Sequence, residues 1–243
     1  MPKENQVSPI HPKSNSSHSM VINTNIQALK ASSNLQTSND MLAKSLNRLS
    51  SGSKITNPSD DAAGVAVAAR LDAQIKRTDA AKNNVVNAIS FTQTQDGFLK
   101  KIAKALDRMS ELTLLAQDVT KSDTDRGLYD TEFAQLSAFI ANTATKDFNG
   151  VSLFNNSTLN VTLDSEGNTF SMAGIDLSAT AYANAMSSSV ATTTAASAAL
   201  SAVKNAINQM ASDRASIGAF QTRLNYTSDQ LVISKENLSA ASY

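Results

Sequence analysis

Apolar residues recur at helical spacing along most of this chain. Leu35, Leu42, Leu46 and Leu49 run through a Ser/Asn-rich stretch, which predicts a narrow-striped helix over 26–50 closed by Gly52 in C-cap fashion. From Ala62 the series Val67, Leu71, Ile75, Val85, Ile89, Leu99, Leu106 and Met109 fits one helix to about Val119. At about 1.5 Å per residue that helix is on the order of 85–90 Å long. Lys121–Gly127 reads as a turn, and Tyr129, Phe133, Leu136 and Ile140 share one face of a helix over 129–146 that ends near Phe148-Asn149-Gly150. The period then drops to two. Leu159–Leu163 and Thr169–Met172 alternate around Asp164–Asn168, which predicts a β-hairpin. Residues 178–198 are Ala/Ser/Thr-rich and aperiodic, and read as a flexible connector or a poorly packed insertion. Leu200, Val203, Ile207, Met210, Ile217, Leu224, Leu231 and Leu238 then mark a last long helix, expected to lie antiparallel to the 62–119 helix.

The expected fold is mainly α: an elongated bundle of long, coiled-coil-like helices with a small β-hairpin. Its rod core is assigned to Leu71, Ile75, Ile89, Leu99, Leu106, Phe133, Leu136, Ile140, Leu200, Val203, Ile207, Met210, Ile217, Leu224 and Leu231. Between the first two helices, Asn57 suits an N-cap, Pro58 the first helical position, and Asp60 and Asp61 the positive end of the helix dipole. The chain divides accordingly: 1–19 a disordered extension, 20–56 a first helical segment, 57–177 rod helices and hairpin, 178–198 the connector, 199–243 the last rod helix.

Composition sharpens this picture. Of 243 residues 36 are Ala and 33 Ser, and aromatics make up only 5%, which suits slender helices at close approach and suits a thick core poorly. No proline follows Asp60, so nothing interrupts the long helices. The 21 basic and 21 acidic residues cancel, which argues against nucleic acid as a partner. No stretch reaches the roughly 20 apolar residues of a membrane span. Cysteine is absent, and with it any disulfide or thiolate chemistry.

Candidate chemistry is sparse. His11 and His18 are the only histidines and both sit in the polar N-terminal tail, so neither a catalytic triad nor a histidine metal site is expected. Asp123 and Asp125 begin like a calcium loop, but its later ligands are missing. Phosphate-cradling and nucleophile-elbow motifs are also missing. No enzyme and no cofactor is expected.

Three strings point to a family. Met20-Val21-Ile22-Asn23-Thr24-Asn25, Leu46-Asn47-Arg48-Leu49-Ser50-Ser51-Gly52 and Asn57-Pro58-Ser59-Asp60-Asp61-Ala62-Ala63-Gly64 closely resemble the start of bacterial flagellin. Asp147-Phe148-Asn149-Gly150-Val151 and Asn237-Leu238-Ser239-Ala240-Ala241 resemble later stretches of the same family. The resemblance implies a structural subunit of the flagellar filament, extracellular and exported without a cleaved Sec signal. Its implied partners are other flagellin subunits, the flagellar export apparatus, and filament cap and junction proteins. It assigns Leu35, Leu42, Leu46 and Leu49 to an inner-tube stripe, and Asn57, Pro58, Asp60 and Asp61 to the junction between inner tube and shell rod.

Three departures from the pattern bear on function. Residues 1–19 precede the usual start. The chain stops at Tyr243, where the family's C-terminal inner-tube helix would begin, so residues 20–55 are expected to lack order without that partner and the chain to form no stable filament alone. Third, a patch that a Toll-like receptor of innate immunity reads in the family matches here at Arg108, Glu111 and Leu112, with Asp107 and Ser110 departing. The alternative for those residues is a solvated Arg108–Glu111 pair with Leu112 filling the rod core. Two rival functions follow: a hook-filament junction protein, or a soluble ligand of that receptor.

Overall fold

The computed structural model describes residues 25–242. The 1–19 extension with its two histidines, the opening string up to Thr24, and Tyr243 lie outside the described residues. The chain forms two compact units that divide between Asp61 and Ala62.

The first unit is built on helix α1, Ile26–Ser51. Asn25 caps it, its side-chain oxygen accepting from the Ala28 N–H at 3.1 Å, and Gly52 ends it in the left-handed region at φ 65°. Those caps satisfy end groups that a frayed helix leaves to water. Within the 20–55 segment, Ile26–Ser51 is thus helical, although none of its residues is buried. The following turn corrects the expected cap. Asn57 does not cap the next helix: its side chain accepts from the Ser59 N–H (3.2 Å) and its carbonyl from the Asp60 N–H (2.9 Å), closing a separate turn with Pro58 inside it. The next helix starts only at Ala62, so Asp60 lies outside its first turn.

The second unit is organised by two long helices, α2 (Ala62–Ala116) and, at the end of the chain, α5 (Thr193–Ser242). They run antiparallel: Asp79 pairs with Lys235, Asp96 with Arg214, and Gln117 reaches the Ala196 carbonyl. α2 stops short of Val119. Arg126, buried in the next helix, donates from Nε to the Ala116 carbonyl (2.7 Å) and from Nη2 to the Asp118 carbonyl (2.8 Å), so an arginine closes the α2 C-terminus. α3 spans Asp123–Ala144 and begins six residues before the expected 129, because Ser122 and Asp125 form a reciprocal capping box. The two aspartates of the supposed calcium-like loop are therefore first-turn acids.

Two hairpins follow where one was expected. β1 (Asp147–Phe148) and β2 (Val151–Ser152) pair through a two-residue turn, with Asn149 at φ 52° and Gly150 at φ 78°. Positive φ at both central residues is the type I′ geometry that Asn-Gly favours. β3 (Leu159–Thr162) and β4 (Thr169–Met172) form the expected hairpin, with Val161 opposite Phe170 and Leu159 opposite Met172. Val161, Phe170 and Met172 pack with Ala81, Val85, Ala88, Leu224 and Leu231 in a small core of their own. Gly174 lies so close to Asn156 and Ser157 that a Cβ would come within 2.4 Å of the Asn156 carbonyl carbon.

The reading of 178–198 as a loose connector is corrected. Helix α4, Thr180–Met186, buries Tyr182 and Ala185, Val190 is buried after it, and α5 has already begun at Thr193. The Tyr182 hydroxyl donates to Asp213 Oδ2 at 2.6 Å, and Asp130 of α3 accepts from both the Ser189 hydroxyl (2.8 Å) and the Val190 N–H (2.7 Å). Burial, reinforced by Asp213, pushes the Tyr182 phenol above its ordinary range.

Of the residues assigned to the rod core, Leu99, Leu106, Phe133, Ile140, Val203, Met210, Ile217, Leu224 and Leu231 are buried. Leu71, Ile75, Ile89, Leu136, Leu200 and Ile207 are only half-buried. Alanine shares the burial with them, at Ala81, Ala88 and Ala105 on α2 and at Ala196, Ala199 and Ala206 on α5.

Candidate assembly surfaces

At about 100° per residue, Leu35, Leu42, Leu46 and Leu49 fall within about 60° of one another on α1. All four stand in solvent, 55% to 81% exposed. The opposite side of the same helix is tied down. Lys44 Nζ lies 2.6 Å from Asp60 Oδ1 and Arg48 Nη2 lies 3.5 Å from Oδ2, so the post-helix turn clips onto the polar back of α1. The Lys44 hydrogen bond, partly opposed by desolvation, holds the Asp60 carboxyl below the usual carboxylate range. The clip leaves the leucine face free. Of the residues assigned to the junction, Asn57, Pro58 and Asp60 shape this turn and clip, while Asp61 directly precedes α2.

The receptor-like patch has a different character. Arg108 forks onto Glu132 of α3, Nε to Oε1 at 2.7 Å and Nη2 to Oε2 at 3.1 Å, while Nη1 reaches Glu111 at 2.8 Å. These bonds raise the Arg108 guanidinium above its ordinary value and lower the Glu132 carboxyl. Leu112 is fully buried in the rod core. The three residues thus form a cross-helix ion pair over a core leucine. In sequence, helical spacing links Arg108 to Glu111, but nothing signals Glu132, which lies on another helix and pairs only after folding. Arg126 was missed for a related reason: a cation in a first turn, where acids are favoured, gives no local hint that it serves the preceding helix's carbonyls.

Among the described residues no group of three or more His, Cys, Asp or Glu side chains is placed to hold a metal ion, and no helix is long and apolar enough to cross a membrane. What the fold does present is helix surface shaped to lie against other helices. That defines a mainly helical protein whose first helix keeps an apolar stripe unburied.

Comparison with known proteins makes the class specific. The bacterial flagellin N-terminal helical region matches residues 22–158, and the bacterial flagellin C-terminal helical region matches residues 200–243. A flagellin of Halalkalibacterium halodurans is 32% identical over 227 residues, covering 91% of this chain and 84% of the relative. Among solved structures, Bacillus cereus flagellin superposes with a TM-score of 0.57 at 26% identity, over 66% of this chain and 94% of that one. A Vibrio parahaemolyticus structure assigned to a flagellar hook-associated protein reaches a TM-score of 0.66 over 76% of this chain and 99% of that one; at 16% identity it shows a shared fold alone. The chain belongs to the bacterial flagellin family, the structural subunits of the flagellar filament.

Proposed function

We propose that α1 is the element through which one subunit of this protein holds others, its leucine stripe packing against equivalent helices of neighbouring copies. One observation carries the reading: a helix of 26 residues, capped at both ends, keeps four leucines in line and buries none of them. In water such a helix gains little from its own propensity, and its apolar seam gains stability only when a second helix covers it. The Lys44–Asp60–Arg48 clip supports the same reading, because it engages the helix on the side away from the stripe. In this role the chain acts outside the cell, delivered by the flagellar export apparatus, added beneath a cap protein and joined at its base to junction proteins. Its role is structural, with no catalytic step.

The test is assembly. Leu42→Asp with Leu46→Asp should leave the helical content of the second unit unchanged and abolish tubes in electron micrographs at high protein concentration. Each protein is imaged alone and with a family C-terminal inner-tube helix appended. Tubes of normal length from the double variant, or no tubes from the unaltered protein in either form, overturn the reading.

A further inference from the structure

We propose that Asn149 in the β1–β2 turn is a site of spontaneous deamidation, a covalent ageing site built into the hairpin. Asn149-Gly150 is the only Asn-Gly step in the chain. Both residues are exposed, and the turn borders an open cleft of about 510 Å³ lined in part by Asn84, Asn87, Phe91 and Phe148. Neither the Asn149 side-chain amide nor the Gly150 N–H takes a hydrogen-bond partner among the described residues. The two groups that must react are therefore adjacent, hydrated and unengaged. Gly150 has no side chain to hinder approach to its nitrogen, and each flanking strand is only two residues long, so little structure must open for the backbone to reach the reactive geometry.

The step balances without any co-reactant but water. The Gly150 amide nitrogen attacks Asn149 Cγ, a C–N bond forms, and the side-chain nitrogen leaves as ammonia carrying the proton that the backbone amide gave up. Water then opens the five-membered imide at either carbonyl. One opening gives aspartate; the other gives isoaspartate, in which the main chain runs through the former side chain and is longer by a methylene. A two-residue type I′ turn has no room for that extra carbon. The Phe148–Val151 pairing is then lost, and with it the edge-to-face seat of Phe148 on Phe91, whose rings lie 5.9 Å apart.

Among the described residues, no other asparagine has this combination, since none is followed by glycine. Asn57 is followed by Pro58, which has no N–H to attack. Asn168 holds its side chain on Asp164 at 2.6 Å, and the Ser157 N–H that follows Asn156 is bonded to Asn155 at 3.1 Å. Asp96-Gly97, the comparable aspartyl step, lies inside α2, where the helix ladder occupies the backbone.

The experiment holds the intact protein at mildly alkaline pH and follows every asparagine by peptide mapping, beside a synthetic peptide spanning 145–153. The expected result is loss of the parent Asn149 peptide ahead of every other asparagine peptide, its replacement by an aspartate and an isoaspartate form, and a rate that rises with pH. Asn149→Asp, which keeps a turn-favouring residue and has no ammonia to lose, should show no such early conversion. If the peptide converts while Asn149 in the folded protein persists, or if another described asparagine converts first, the proposal is overturned.

Discussion

α1 and the α2–α5 pair are made of the same materials and use them in opposite ways. Both are alanine-bearing helices whose apolar residues recur at helical spacing. α1 carries the sharper stripe and buries nothing, while α2 and α5 look less amphipathic and supply most of the core. The difference lies in the number of neighbours. α2 meets α5, α3 and the β3–β4 hairpin on successive sides, so its buried positions spread around the helix and blur the stripe. α1 has one unshared face. On the proposed reading, a sharply one-sided helix in this chain marks a surface for a partner, and a diffuse one marks a finished core.

The contrast breaks most directly at matched leucines. Leu106→Ala in α2 removes a fully buried side chain and should destabilise the second unit by about 2–5 kcal/mol in thermal or denaturant unfolding. Leu42→Ala in α1 should change monomer stability by no more than about 0.5 kcal/mol while lowering the yield of tubes. Equal losses at the two sites would erase the distinction.

Two smaller effects probe how the second unit is finished. Gly174→Ala drives a methyl into the Asn156–Ser157 backbone and should cost about 1–3 kcal/mol, read from the melting temperature. Arg126→Met keeps bulk but strands the Ala116 and Asp118 carbonyls, at about 1–3 kcal/mol, with earlier amide exchange at the end of α2. No counterpart in α1 should be as sensitive.

The smallest effect is electrostatic and separates the units by pH. Asp96 is partly desolvated, which raises its pKa, but bonds from Lys100 and Arg214 outweigh that and leave it lowered; Asp60 is lowered by its bond to Lys44. A carboxyl lowered in the folded state contributes fully above its unfolded value of about 3.9 and loses that contribution as pH falls through the folded value. Melting temperatures should accordingly hold from neutrality to about pH 5 and decline below it. Asp96→Asn should flatten that decline, and Asp60→Asn should leave the second unit's profile unchanged.

The long helices, the β3–β4 hairpin and the antiparallel pairing were legible because each leaves a period in large apolar residues. Residues 178–198 left none: their burial rests on alanines, Tyr182 and Val190, and alanine is read as filler when no leucine keeps time beside it. The start of α3 was hidden because its capping box uses Asp125 where Glu or Gln is the usual signal. Asn149-Gly150 reads in sequence as a helix end although it is a strong hairpin dipeptide, because the strands it joins are too short to show alternation. At the assembly surface the leucine stripe was readable, but the ion pairs around it were not. Asp60 looked like a helix cap, and its partners lie 12 and 16 residues earlier in the chain.

The buried alanines of α2 and α5 also set a dimension. Where a buried alanine faces its neighbours, its methyl group lets backbones approach closely, and the spacing there depends on the side chain staying small. A repeating lattice needs struts of uniform gauge, because an error in one member recurs at every copy. A single larger residue at Ala199 or Ala206, both fully buried, would act as a shim, spreading the packing around it and passing the misfit to every neighbour in the array.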